Sequence, residues 1–452
     1  MTQALTILII AAVIILLAKG FQPHAILILA GLLLLTLSII AGKTTILPEG
    51  AASTGWIGFD IFKFISQIMK GRVGEIGLII MSAGGLAKYM THIGAANALV
   101  QISIQPLKKL RNPYLILAFV SVLGQIMKIG IPSAAGLAML LLITVYPTLL
   151  HIGITPASAA AVIAGTTCLD VGPASATSVV AAELAGMDAV VYFIKFQLPA
   201  MLAPVILIAI LNIFVQHFFD RREAAPVTPL EAGQAEPRVE APRSFAILPL
   251  IPLILLLIFN QMVVGSIVLN VVTAMFISLL VGMVFNAVHT RDLRTTLADI
   301  MVYFRGMGEI FATVVTLIFA AETFAGGLRA VGFIDMILGV TTHSEGAASL
   351  LIIMLVIIIG VTAILTGSGN AAFFSFSNLA PSLAASVGKP TLSFVFPMQL
   401  TSGLFRTISP VAGVILAVSG TAGVDPFTIV KRTAIPAIAG IIAVIIFNWL
   451  FY

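Results

Sequence analysis

Two hydrophobic segments, one in each half of the sequence, are interrupted by proline and polar residues. The first is GTTCLDVGPASATS at 165–178, around Pro173, and the second is TSGLFRTISPVAG at 401–413, around Pro410. A proline inside a membrane helix frees backbone N–H and C=O groups, which must then face protein, water or a ligand. Half-helix N-termini favour anionic groups, and freed carbonyls favour cations. The interruptions therefore predict a site for a carboxylate substrate.

Arg406, in the second interruption, is the side chain best suited to hold a carboxylate. Its guanidinium presents a planar fork of donors that matches carboxylate geometry, and an arginine within a membrane is costly unless it has a function or a partner. The alternative is an internal ion pair of Arg406 with Asp170 or Glu322. Asp170, in the first interruption, could titrate, hold a sodium ion or neutralise the arginine.

A short turn-forming stretch precedes each interruption, GIPSAAG at 130–136 and TGSGNAA at 366–372. Small residues let backbone N–H groups approach a ligand closely, although small residues also serve helix packing in membranes. Asn370 favours the ligand interpretation for the second stretch because it is a polar side chain in an apolar setting. The first stretch has no amide side chain and leaves both interpretations open.

These four stretches supply the predicted site. The predicted substrate-binding residues are Ser133, Ala134, Gly172, Ser175, Gly367, Ser368, Gly369, Asn370, Arg406, Thr407 and Ser409. The candidates for holding a coupling ion, sodium or a proton, are Asp170, Thr167 and Ser402. Lys128 is expected to extend to the membrane interface. Glu183 and Glu322 are expected to have structural or solvent-facing roles.

The composition indicates which elements position these residues. The chain has 452 residues, of which 60% are hydrophobic and 9% are charged, so it cannot present a water-soluble surface. Apolar stretches of spanning length recur throughout, and we expect roughly ten to twelve transmembrane helices in an all-α polytopic membrane protein. The first apolar run, 4–18, is expected to be a membrane anchor and not a removable signal peptide.

The remaining composition argues against cofactors and nucleic acid. The only cysteine, Cys168, has no partner for a disulfide, and the six histidines share no metal-ligand spacing. The basic residues stand at the ends of the apolar segments, which is typical of loop charge; they include Lys108, Lys109, Arg111, Arg221, Arg222, Lys431 and Arg432. We expect no metal, no cofactor and no nucleic-acid partner.

The two halves of the chain share a pattern. Pro173 and Pro410 are 237 residues apart, and the same spacing pairs Asp188 with Asp425 and Lys195 with Arg432. It also places Ser133 opposite Asn370. Such a register indicates two internal repeats, as many transporters have. The repeats are either inverted or parallel, since inversion requires that one apolar stretch within 245–285 or 308–328 does not span.

The repeats predict the domain organisation. The first covers 1–219, with a re-entrant hairpin at about 129–147 and a broken helix at about 157–184. A polar linker follows at 220–243. The second covers 244–452, with a hairpin at about 366–387 and a broken helix at about 393–420.

Several stretches resemble the DcuC-type anaerobic C4-dicarboxylate carriers of bacterial inner membranes. They are AKYMTHIGAANALV (87–100), YFRGMGEIFATVV (303–315), TGSGNAAF (366–373), FRTISPVAGVILAVSG (405–420) and DPFTIVKRTAIP (425–436). The resemblance implies movement of succinate, fumarate or malate driven by an ion gradient or by exchange. It also implies kinship with ion transporters in which a transport domain moves like an elevator against a scaffold that forms a homodimer in the lipid bilayer.

We therefore predict a secondary active transporter of C4-dicarboxylates that works by alternating access. The same fold could carry another organic anion, such as gluconate or citrate, and a channel is a further alternative. A membrane enzyme is not expected, because the sequence offers neither a metal-protease motif nor a nucleophile with a base.

Overall fold

The structure is a computed structural model that describes residues 2–44, 46–47, 51–105, 112–222, 241–260, 263–264, 266–333 and 346–452. Within these ranges the chain forms helices and no strand. The all-α prediction is therefore confirmed.

The helices of the first half end before the polar stretch at 223–240. They are α1 (Thr2–Ala18), α2 (Pro23–Ile40), α3 (Ile57–Arg72), α4 (Leu78–His92), α5 (Ala95–Ser103), α6 (Pro113–Gly130), α7 (Ala134–Thr144), α8 (Tyr146–His151), α9 (Pro156–Gly165), α10 (Ala176–Leu184), α11 (Ala189–Tyr192) and α12 (Leu198–Arg222). Single π-helical turns at Val73–Gly77 and Phe193–Gln197 join α3 to α4 and α11 to α12.

The helices of the second half follow a 3-10 turn at Arg243–Leu250. They are α13 (Ile251–Ile258), α14 (Val271–Thr290), α15 (Leu293–Ala298), α16 (Ile300–Ile310), α17 (Thr316–Ala330), α18 (Ala347–Thr366), α19 (Gly369–Ser377), α20 (Ala380–Ser386), α21 (Leu392–Arg406), α22 (Gly413–Ala422) and α23 (Pro426–Phe451). A π-helical turn at Phe311–Val315 joins α16 to α17.

The described ranges contain both long and short apolar helices. Seven helical segments in the described ranges are long and apolar enough to cross a membrane, against the expected ten to twelve. Five shorter apolar helices account for the difference, among them Ala134–Thr144, Pro156–Gly165 and Gly413–Ala422. The interruptions shorten these helices, because proline and the polar turns leave no continuous run of about 20 residues.

Both predicted broken helices are interrupted where the sequence indicates. In the first half, α9 ends at Gly165 and α10 begins at Ala176, and in the second, α21 ends at Arg406 and α22 begins at Gly413. The two broken helices cross closely. A Cβ atom on Gly403 would lie 2.3 Å from the carbonyl oxygen of Cys168, so only glycine permits this approach.

The turn-forming stretches are the tips of two helical hairpins. The first tip (131–133) joins α6 to α7, and the second tip (367–368) joins α18 to α19. The first arms, α6 and α18, are 18 and 20 residues long and lie upstream of the predicted hairpin ranges. Those ranges therefore contain only the tip and the second arm.

The caps of the tips change the register predicted for this region. Ser133 caps α7 and accepts a hydrogen bond from Gly136 N at 3.1 Å, and Ser368 caps α19 and accepts one from Ala371 N at 3.1 Å. Ser133 therefore corresponds to Ser368 and not to Asn370. The spacing of 237 applies at the broken helices, where Ala176 and Gly413 begin matching helices, but not at the tips.

Other elements support the repeat, which stays a prediction. Asp188 and Asp425 each cap the helix that follows the broken helix. Within 245–285 the structure contains the 16-residue helical segment Arg243–Ile258 and the spanning helix α14, so one apolar stretch there falls short of a full span. This is what inverted repeats require.

The predicted linker begins later than residue 220. Helix α12 continues to Arg222, and the side chain of Asp220 is buried, 2.7 Å from the guanidinium of Arg432 in α23. Arg432 is itself buried, so its assignment as a loop charge was wrong. Ser158 and Thr155 also hydrogen-bond to this carboxylate, at 2.8 and 2.7 Å. A buried charge has to be paired, and this cluster ties α9, α12 and α23 together. Residues 223–240 of the predicted linker lie outside the described residues.

A second group of helices packs through glycine. Helices α2 and α17 meet where a Cβ on Gly31 would lie 2.7 Å from the Thr323 backbone, and α4 and α16 meet where a Cβ on Gly85 would lie 2.7 Å from the Tyr303 carbonyl. We call α2, α4, α16 and α17 the scaffold helices. Residues of α4 and α16 also line a cavity together with residues of the tips and the broken helices.

Candidate functional site

A cavity of about 590 Å³ lies between the scaffold helices and the interrupted elements. One wall is formed by α4 and α16, and the other by the first tip, the start of α10, the start of α19 and the end of α21. Its volume falls in the range of small-molecule sites. Of the predicted site residues, it is lined by Ser133, Ala134, Asp170, Ser175, Asn370 and Arg406.

Three helix N-termini contribute residues to the wall of this cavity. They belong to α7, α10 and α19, and they are represented in its wall by Ala134, Ala176 and Asn370. The first N–H groups of a helix have no partner within that helix and carry partial positive charge. This part of the wall therefore suits an anion.

Asp170 lies between two cations in the wall of the cavity. Its Oδ1 is 2.7 Å from Lys128 Nζ, and its Oδ2 is 3.3 Å from Arg406 Nη1. Arg406 also donates to the carbonyl oxygen of Thr167, at the end of α9. One positive charge of this triad remains uncompensated, which adds to the attraction of the helix N-termini for an anion.

Arg406 forms an internal ion pair, one of the two alternatives predicted for it. The arginine is bonded to Asp170 and not to Glu322, and it lines the cavity at the same time. Glu322 and Glu183 instead pair with Arg72, so both have structural partners. An internal pair and a substrate contact are compatible here, because the guanidinium has five donors and the two bonds above use only part of them.

The burial of Lys128 contradicts the prediction that this side chain extends to the membrane interface. Its side chain is 0% exposed, and its ammonium also donates to the Pro132 carbonyl oxygen at 2.6 Å. The prediction was wrong because Lys128, in the last turn of α6, is enclosed by the protein beside the first tip. An acidic partner within reach, Asp170, offsets the cost of burial.

A network of amide side chains holds the first interruption in place. Gln399 of α21 donates to the Asp170 carbonyl oxygen at 2.6 Å, and Gln197 donates to Gln399 Oε1 at 2.9 Å. Gly172, at φ +112°, donates to Gln197 Oε1 at 3.1 Å. Sequence reasoning missed both glutamines, although a buried amide in an apolar segment is itself a signal. Gly172 thus contributes its backbone N–H to this network, and it does not line the cavity.

The other predicted residues lie behind the wall. Cβ atoms on Gly367 and Gly369 would each lie 2.6 Å from a backbone oxygen, of Val411 and Ser402 respectively. The second tip therefore packs directly on the second broken helix. Four hydroxyl groups nearby donate to backbone carbonyls: Ser409 to Ile364, Thr407 to Leu404, Ser402 to Gln399 and Thr167 to Ala164. The Ser368 hydroxyl instead accepts from the backbone N–H of Ala371.

The scaffold wall contributes polar residues that the sequence did not single out. Lys88 of α4 and Glu309 of α16 line the cavity and form an ion pair with each other. His92 also lines it, with Nε2 3.0 Å from Asp299 Oδ1. Lys88, His92 and Glu309 lie in the stretches 87–100 and 303–315, on which the family resemblance rests. That was the signal that could have found them.

The whole chain is similar to one family of transporters. The family model of DcuC, described as C4-dicarboxylate anaerobic carrier, matches residues 1–451. The anaerobic C4-dicarboxylate transporter DcuC of Escherichia coli K12 is 35% identical over 428 residues, covering 95% of this chain and 92% of that protein. The probable anaerobic C4-dicarboxylate transporter DcuC of Vibrio cholerae is 35% identical over 429 residues, covering 95% and 93%.

Two solved structures share the fold. MtrF of Neisseria gonorrhoeae, from a class of antimetabolite efflux pumps, matches with a TM-score of 0.67 and 15% identity, covering 95% of each chain. The YdaH transporter of Alcanivorax borkumensis matches with a TM-score of 0.65 and 15% identity, covering 95% of this chain and 98% of that one.

These findings confirm the family predicted from the sequence. They also confirm a multi-pass protein of the bacterial inner membrane whose relatives are transporters and not enzymes. The chain belongs to the DcuC family of C4-dicarboxylate anaerobic carriers.

Proposed function

We propose that this protein is a secondary active transporter that moves C4-dicarboxylates, of the succinate, fumarate and malate class, across the bacterial inner membrane. The observation that carries the proposal is the cavity that brings Arg406, Asn370 and Ser133 together from the two halves of the chain. The names of the 35% identical relatives supply the substrate class.

The two carboxylates of the substrate bind at different parts of the interrupted wall. One contacts the Arg406 guanidinium and the N-terminus of α19 at Asn370, and the other contacts the N-terminus of α7 beside Ser133. A planar fork and exposed N–H groups are both suited to carboxylates. A monocarboxylate of the same length would leave one of these sites without a charged partner.

Transport proceeds by alternating access, in an elevator-like motion of the tips and broken helices against the scaffold helices of a homodimer. The division of the cavity between one scaffold wall and one interrupted wall supports this. Net movement is coupled to a sodium or proton gradient or occurs by exchange.

Counterflow in proteoliposomes tests the proposal. Vesicles loaded with unlabelled succinate should accumulate labelled succinate faster than unloaded vesicles, and the uptake should saturate. Fumarate and malate should compete, whereas gluconate and citrate should compete weakly. Uptake without stimulation by internal succinate would indicate a channel, and competition by gluconate or citrate alone would indicate another organic-anion carrier.

A further inference from the structure

The buried ammonium of Lys128 joins two elements that close the first half of the site. Its Nζ lies 2.6 Å from the carbonyl oxygen of Pro132, in the first tip, and 2.7 Å from Oδ1 of Asp170, in the first interruption. Lys128 does not line the cavity, so it touches the site only through these two residues. It is a positioning residue between the tip and the broken helix.

A backbone carbonyl and a carboxylate oxygen are also the ligands that a hard cation takes in proteins. In carriers with broken helices, such freed oxygens coordinate the coupling ion. Here two carbonyl oxygens of the first interruption already have donors from the chain. Thr167 O accepts from Arg406, and Asp170 O accepts from Gln399 at 2.6 Å and Ser178 at 3.0 Å.

In the second half, hydroxyl groups donate to carbonyl oxygens near the tip and the interruption. Ser409 donates to the Ile364 carbonyl at 2.6 Å, and Thr433 donates to the Thr407 carbonyl at 2.7 Å. Counted from the matched caps Ser133 and Ser368, the residue that corresponds to Lys128 is Ala363. The buried lysine is therefore a feature of the first half alone.

We propose that the Lys128 ammonium is a tethered cation that takes the place of a bound sodium ion, holding the first tip against Asp170 so that dicarboxylate binding requires no sodium. A lysine ammonium is a compact unit charge with three donors, and its attachment to α6 keeps it at the site. The inference rests on the proposed function and deepens it, since it names how the site closes.

Succinate binding to the purified full-length protein tests the inference, with sodium chloride replaced by choline chloride. The dissociation constant of the wild type should change by less than about twofold between the two salts. Lys128→Ala should bind at least about tenfold more weakly in choline. Sodium or methylammonium should restore part of this affinity, because either can occupy the space between Pro132 O and Asp170. Lys389→Ala, which removes an exposed lysine, is the matched control and should bind like the wild type.

Three results would overturn the inference while leaving the proposed function in place. They are a wild type that loses affinity about tenfold without sodium, a Lys128→Ala variant that binds like the wild type, and a weakened variant that no cation restores. If the alanine variant does not fold, Lys128→Met replaces it, because methionine keeps most of the side-chain volume. The wild-type salt series shows whether dicarboxylate binding requires sodium without any variant. No binding of any C4-dicarboxylate in either salt would reject the proposed function and this inference with it.

Discussion

Asp170 and Arg406, which are 236 positions apart in the chain, form an ion pair in the wall of the cavity, with Asp170 Oδ2 3.3 Å from Arg406 Nη1. Each comes from the interruption of a different half. The wall of the cavity is thus assembled from both halves. Under the proposed function, a dicarboxylate that binds Arg406 has to compete with Asp170 or share the arginine with it.

Asp170→Asn should make the protein less stable and more responsive to substrate. The substitution leaves Lys128 and Arg406 without a counter-charge, and an unpaired buried charge costs about 3–5 kcal/mol. The melting temperature should fall in the absence of succinate, and succinate should raise it by more than it does for the wild type. Asp425→Asn is the control, because asparagine also caps a helix. An equal succinate shift in wild type and Asp170→Asn would argue against competition for Arg406.

Gly367→Ala should disrupt the second tip. Gly367 has φ +71°, and an added Cβ would lie 2.6 Å from the Val411 carbonyl oxygen, so both the backbone and the packing oppose a side chain. Counterflow activity should fall at least about tenfold, with the protein still inserted in the membrane. Gly420→Ala, where nothing lies within 4 Å of the added atom, should keep its activity. Full activity of the Gly367 variant would mean that the tip does not need this close contact.

Arg432→Met should reduce stability without changing substrate affinity. The variant removes the cation that lies 2.7 Å from the buried Asp220 carboxylate, and loss of such a partner costs about 3–5 kcal/mol of stability. The pair does not line the cavity, so substrate affinity should not change. Thermal unfolding and succinate titration measure the two effects separately. The exposed neighbour Lys431→Met serves as control. A large loss of affinity in a still folded Arg432 variant would place this cluster in the binding mechanism.

A cysteine at position 370 should be protected by substrate. In a Cys168→Ser background, which removes the only native thiol, Asn370→Cys lines the cavity and should react with a maleimide. Succinate should slow this reaction, and a cysteine at the exposed position of Lys389 should react at the same rate with and without succinate. Equal protection at both positions, or at neither, would argue against the cavity as the binding site.

The interruptions and part of the cavity wall could be predicted because their signals are local. Proline, glycine and polar residues in apolar segments marked both broken helices and both tips, since each interrupts a helix by its own backbone chemistry. Arg406 and Asp170 stood out for the same reason. The lengths of the hairpins were predicted less well, because α6 and α18 are continuous apolar helices and carry no sign of where the first arm begins.

The remaining residues depend on tertiary contacts that spacing does not reveal. Lys128 resembles an interfacial lysine until Asp170, 42 residues later, is seen beside it. Gln197 and Gln399 meet across the two halves, and Lys88 pairs with Glu309 across the scaffold. The spacing that matches the two halves differs by two residues between the tips and the broken helices. The sequence did not predict this difference, because it appears only when the helix caps are compared.

Direct binding of succinate to Arg406→Ala tests the account most directly. Arg305→Ala removes an exposed arginine of α16 and is the matched control. We expect Arg406→Ala to remain folded and to show no counterflow. Its affinity for succinate should fall at least about a hundredfold, because the variant removes a charged hydrogen-bonding partner of the ligand. Arg305→Ala should bind and transport succinate like the wild type. Binding and counterflow by a folded Arg406→Ala variant at wild-type levels would contradict the account and assign the arginine a purely structural role.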